Sequence, residues 1–134
     1  MFALLLALQL FAPAPAPALI ITVSGVPSSE GDVLVGLWVA PDGFLEDDTR
    51  IAGQVRPARA GEQSFVFDGL APGTYAVSVL HDADRNGRMS KSFLGWPTEA
   101  YGFSRDARNT FSAPHFEDCA FELRSDRQIR IALK

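Results

Sequence analysis

Disulfides are excluded at the outset, because the 134 residues include one cysteine, Cys119, and no second to pair with it. Basic residues are also too few and too scattered to form a footprint. Lys and Arg total 12 against 16 Asp and Glu, a net charge of −4, which excludes nucleic acid and anionic lipid as electrostatic partners. Cationic ligands or metal ions suit this balance better. A sustained helical period of apolar residues is missing, and so are a nucleophile elbow, a phosphate loop, a paired-carboxylate motif and zinc spacing. No enzyme class is therefore indicated. The longest apolar run, Phe2 to Phe11, has about ten residues where a membrane-spanning helix needs about 20, so no transmembrane helix is expected.

That run leads into Ala12-Pro13-Ala14-Pro15-Ala16-Pro17-Ala18, small residues that suit the cleavage region of a secretory signal. The expected division is a signal over residues 1–18, cut after Ala18, and one domain over residues 19–134. Alternatively, a cut nearer Ala12 or Ala14 would leave the prolines as a stiff spacer. Export places the domain in the periplasm or outside the cell as a monomer, with its ligand in the cell envelope or beyond. No cysteine follows the apolar run at a lipid-attachment position. A composition 47% hydrophobic and 21% charged is that of a globular chain with one compact core.

Alternation of period two fills the rest. Leu19, Ile21 and Val23 share one strand face, as do Val33, Val35 and Leu37, then Tyr75, Val77 and Val79, and finally Ile129, Ile131 and Leu133. Phe65 and Phe67 mark another strand, Ile51 to Arg56 a short edge strand, and Cys119, Phe121 and Leu123 one face of a strand that begins at Phe116. About seven short strands with frequent turns predict an all-β fold, an antiparallel two-sheet β-sandwich, with a small closed barrel as the alternative. Arg88 to Pro114 shows no convincing strand. Phe93, Leu94, Trp96, Tyr101, Phe103 and Phe111 would be costly to leave in water, so one long packed loop is expected there.

Chemistry concentrates in His81-Asp82-Ala83-Asp84-Arg85-Asn86-Gly87-Arg88. Asp82, Asp84 and Asn86 occupy the first three side-chain positions of a calcium loop, Gly87 its turn, and Arg88 the position that gives a backbone carbonyl. The twelfth position, which should be glutamate, is Phe93, and the residues before Asp82 read as strand. A helix-loop-helix calcium hand is thus excluded. Two readings stay open: a strand-end turn, since Asp and Asn bond their own backbone, or a weak calcium site completed by Glu99, Asp106, Glu117 or Asp118 from beyond the loop. Arg85 and Arg88 would oppose a cation by Coulomb repulsion. His81 reads as a strand-end histidine bonded to a loop carbonyl or carboxylate. His115 with Cys119 could be drawn as a nucleophile site, but a thiol on an apolar face is buried and inert. Trp96, Tyr101 and Phe103 either form a buried satellite core or, exposed, a surface for a sugar or peptide.

Gly69-Leu70-x-Pro72-Gly73-Thr74-Tyr75, His81-Asp82, Asn86-Gly87, Leu94-Gly95-x-Pro97, Tyr101-Gly102-Phe103-Ser104, Ala107-Arg108 and Phe116-Glu117-Asp118 follow one another along the chain. In this order they resemble a secreted bacterial family, domain of unknown function 2141. The resemblance implies a small exported β-sandwich, similar in outline to transthyretin-like and carboxypeptidase-regulatory-like modules, with no activity established. Where Arg88-Met89-Ser90 stands, members of that family tend to carry Lys-Leu-Asp, so Ser90 replaces an acidic residue near the loop.

Overall fold

The computed structural model describes residues 16–87, 99–109 and 112–134. The alternating residues become two facing sheets. One has three strands: β1 (Leu19–Val26), β4 (Gly61–Phe67) and β8 (Arg127–Ala132), in the order β4-β1-β8. The other holds β2 (Asp32–Trp38), β3 (Ala52–Pro57), β5 (Gly73–Asp82) and β6 (Tyr101–Phe103) in the order β3-β2-β5-β6, and β7 (Phe121–Leu123) pairs with the start of β5. Between them lie Leu19, Ile21, Val23, Phe65, Phe67 and Ile131 from the first sheet and Val33, Val35, Leu37, Val77 and Val79 from the second. Each such side chain contributes about 1.5–3 kcal/mol on burial. The ion pairs Arg50–Asp47, Arg124–Glu122 and Arg130–Glu62 are exposed and screened by solvent, so apolar packing decides the fold.

The expected two-sheet sandwich is present, with four differences in detail. β1 pairs with β8 in parallel, Leu19 opposite Arg127 and Val23 opposite Ile131. The first and last strands share no hairpin, so no turn imposes an antiparallel sense. The stretch read as strandless contains β6, which adds to β5 through Ser78–Phe103 and Leu80–Tyr101 and brings the described strands to eight. Residues Phe116–Cys119 form a helical turn rather than the start of a strand, and the strand begins at Phe121. The Asp118 carboxylate accepts the His115 backbone N–H at 3.1 Å and so stabilises that turn at its first residue. The packed chain also begins slightly before residue 19. Pro17 is buried, its carbonyl accepts Leu70 N–H, and Ala18 N–H donates to Asp126 Oδ1.

Both open sides of the sandwich are bridged. On one, the side chains of Gln54 and Arg56 in β3 donate to the Val66 and Ser64 carbonyls of β4. On the other, Tyr101 and Lys134 exchange backbone hydrogen bonds, and Arg108 donates to the Tyr101 and Ala132 carbonyls while lying over the Tyr101 ring. These bridges satisfy edge groups that would otherwise invite another strand. They also carry the structure part of the way towards the closed barrel. Among the described residues no helix is long and apolar enough to cross a membrane.

The β6–β8 approach depends on Gly102, where a Cβ would stand 2.7 Å from Ile131 Cγ2 and 2.9 Å from the Ala132 carbonyl oxygen. A backbone oxygen in a strand cannot yield as a flexible side chain can. Gly102→Ala should therefore cost about 1–3 kcal/mol and lower Tm by several degrees. Calorimetry checks this, and an unchanged Tm would show that β6 is free to move away from β8.

Candidate functional site

Asp82 ends β5 opposite Asp32 of β2, and the loop that follows folds back over it. Its carboxylate is 1% exposed because its own loop covers it. Oδ2 accepts Gly87 N–H at 2.7 Å and Oδ1 accepts Asn86 N–H at 3.1 Å, so one side chain fixes two consecutive backbone donors. Asp84 Oδ1 also accepts Asn86 N–H at 3.2 Å, and Asp84 Oδ2 receives Asn86 Nδ2 at 3.3 Å. The turn reading is thus correct in its hydrogen bonding: Asp and Asn side chains supply the bonds that a regular strand would supply.

The base of the loop is held from the β1–β2 connection. Gly31 (φ 69°) packs so closely that a Cβ there would lie 2.1 Å from the Asp82 carbonyl oxygen. Only glycine fits, on grounds of both conformation and space. His81, buried, places Nε2 2.7 Å from the Glu30 carbonyl oxygen, the strand-end role expected of it. Arg85, in a left-handed conformation (φ 56°), pairs with Asp32 at 3.3 Å and donates to the Gly31 carbonyl. Its guanidinium is therefore directed onto Asp32 at the base of the loop.

The tertiary fold selects among the four remote carboxylates. Glu99, just before β6, accepts Ala83 N–H through Oε2 at 2.7 Å. Asp82, Asp84 and Glu99 each bring a carboxylate oxygen within 4.8 Å of the others. Oxygens that share one calcium ion at 2.3–2.6 Å can stand at most about 5 Å apart, so the spacing fits that ion. Asp106 instead accepts Ala132 N–H, and Asp118 stabilises the helical turn. Glu117 is an exposed residue of that turn. Asn86 belongs to the loop with its amide nitrogen turned to Asp84, while Arg88 and Ser90 lie outside the described residues.

The aromatic residues separate. Phe103, 4% exposed, packs with Trp38, Ala76, Phe116 and Cys119 in a second cluster on the outer face of the five-stranded sheet. This is the buried of the two readings for its ring, and Phe103 also lines the groove along this face. Tyr101 is half-buried, edge-on to Phe103 at 5.8 Å, and Trp96 lies outside the described residues. Along the same face runs a groove of about 520 Å³, with Leu34, Gly36, Leu80 and Tyr101 among its lining and Gly87 at the loop. Cys119 is fully buried and its thiol is pushed up to about 11, chiefly by burial and then by the nearby Asp118 charge. A thiol raised in this way is protonated at neutral pH.

Sequence reasoning missed the roles of Gly31 and Asp32, which lie about fifty positions before the loop. The only local signal was Gly31 immediately before Asp32, the first residue of β2. The family model described as uncharacterized protein conserved in bacteria (DUF2141) matches residues 21–131, and the chain belongs to that family, as its motif order indicates. No curated protein and no solved structure gives a match to the chain.

Burial raises the Asp82 pKa above its ordinary 3.8. The N–H groups of Gly87 and Asn86 pull it back down, while the hydrogen bond with Asp84 and the Glu99 charge push it up. A raised folded-state pKa makes the folded chain hold the proton more tightly than the unfolded one. In chelator, the stability contributed by this group is full below its unfolded pKa and lost as pH rises through the folded one. The stability of wild type minus that of Asp82→Asn should therefore fall as pH rises, which urea unfolding over about pH 3 to 7 would measure. A difference that grows with pH would contradict the assignment.

Proposed function

We propose that this member of the DUF2141 family is an exported, noncatalytic β-sandwich module whose Asp82–Gly87 loop is stabilised by a calcium ion. The observation that carries the reading is the arrival of Glu99 beside Asp82 and Asp84, since it supplies from outside the loop the carboxylate missing at the twelfth position. Three carboxylates gathered this closely repel one another, and a divalent cation relieves that repulsion. Asp82, Asp84 and Glu99 would hold the ion, with Asn86 and the Arg88 carbonyl as the loop's further candidate donors. Calcium, rather than magnesium, suits a flexible set of oxygens on a turn. The affinity expected is weak, in the roughly 10⁻⁴ to 10⁻³ M range of extracellular modules. The apolar amino-terminal run supports export, and the protonated, buried Cys119 supports a noncatalytic role.

A second reading is favoured by the groove beside the loop. Tyr101 and the apolar residues Leu34 and Leu80 offer a surface for an extended peptide or a sugar ring, and calcium would then fix the loop at the groove's edge.

Thermal unfolding in millimolar calcium against chelator tests the first reading. Calcium at 100 times its dissociation constant adds about 2.7 kcal/mol, a rise of several degrees, and Glu99→Gln should abolish most of the rise. Identical curves with and without calcium, together with no calorimetric binding, would overturn it. For the groove, tryptophan fluorescence should respond to cell-wall glycans or peptides and lose that response in Tyr101→Ala at unchanged fold. A response that persists in the variant would place the ligand elsewhere.

A further inference from the structure

Beyond the hydrogen bonds that fold it, the loop carries a second chemistry in its exposed pair Asn86 and Gly87. The side-chain amide of an asparagine is a carbonyl that the next backbone nitrogen can attack, and glycine leaves that nitrogen without a side chain beside it. A Cβ built at Gly87 would meet no atom of the described residues beyond its chain neighbours within 4 Å, so no other described segment packs against its Cα.

We infer that Asn86–Gly87 is a deamidation site, restrained by the Asp82 carboxylate. In the reaction the Gly87 nitrogen bonds to Asn86 Cγ, the Cγ–Nδ2 bond breaks, and the Gly87 amide proton leaves with the side-chain nitrogen as ammonia. Water then opens the resulting succinimide at either carbonyl, leaving aspartate or isoaspartate at position 86. Water is the only co-reactant, and no bound cation is required.

The restraint follows from the hydrogen bonds. Gly87 N–H is held by Asp82 Oδ2 at 2.7 Å, Asn86 N–H by Asp82 Oδ1 at 3.1 Å, and Asn86 Nδ2 lies 3.3 Å from Asp84 Oδ2. Nucleophile and electrophile are each tied to a carboxylate, so the ring closes when the loop opens, and the rate reports that opening. Both products alter the loop. Aspartate sets a further negative charge beside Asp82, Asp84 and Glu99. Isoaspartate lengthens the backbone by one carbon between the bonds that Asp82 now makes, so both N–H groups can no longer be held as they are.

Asn109, the other asparagine, provides an internal comparison. It is followed by Thr110, whose β-branched side chain crowds the attacking nitrogen. The full chain would be incubated at mildly alkaline pH and mapped by peptide mass spectrometry, where deamidation adds about 1 Da. Isomerisation at Asp42–Gly43 or Asp68–Gly69 leaves the mass unchanged, so the gain identifies the asparagine. Asn86 should convert about tenfold or more faster than Asn109. Conversion of Asn86 should also be about tenfold faster in Asp82→Asn than in wild type, and faster in the urea-unfolded chain than in the folded one. The urea comparison stands even if that variant fails to fold. Equal rates at the two asparagines, or a mass gain at Asn109 alone, would overturn the site; equal rates in folded and unfolded chains would overturn the restraint by Asp82.

Discussion

β5 is the strand on which the other parts of this structure depend, because its ten residues serve three neighbouring strands and two faces at once. Gly73 to Tyr75 pair with β7, Ala76 to Asp82 pair with β2, and Ser78 to Leu80 pair with β6. Its inward side chains, Val77 and Val79, enter the main core, while Ala76 enters the second cluster on the outer face. A one-residue slip of β5 would exchange those faces and misplace everything attached to it. The loop from Asp82 is therefore positioned by the core itself, and a turn that would be mobile on an isolated hairpin starts from a fixed end.

Asp82 turns that rigidity into a local constraint. Its buried carboxylate is stable only because two backbone N–H groups approach it, and those N–H groups are fixed only because the carboxylate is there. The same burial that makes the turn specific raises the energy of the charged form, and Asp84 and Glu99 raise it further. The calcium reading rests on that physical imbalance together with the spacing of the oxygens.

Much of the fold was legible because burial in a sandwich is a local alternation. Leu19, Ile21 and Val23 and their counterparts Val33, Val35 and Leu37 are buried as their period predicts. Tyr101 to Phe103 escaped notice, since three residues are too few to show a period and Gly102 interrupts them; their strand character is imposed by β5 and β8. Phe116 to Cys119 misled in the opposite direction. Phe116 and Cys119 are three residues apart and are buried together on one side of a helical turn, a spacing that also fits an irregular strand end.

By itself the sequence determined which residues face inward, where the chain turns, and that Asp82, Asp84, Asn86 and Gly87 share one loop, because each of these is set by neighbours a few positions away. The tertiary structure decided which remote carboxylate joins them, the parallel pairing of the first and last strands, and the pairing of Arg85 with Asp32. Those outcomes depend on contacts between segments far apart in the chain, whose relative positions only the packed sheets define. Glu99 and Asp106 are both acidic residues in the same stretch, yet one reaches the loop and the other binds β8, because β6 lies between them with its register set by β5.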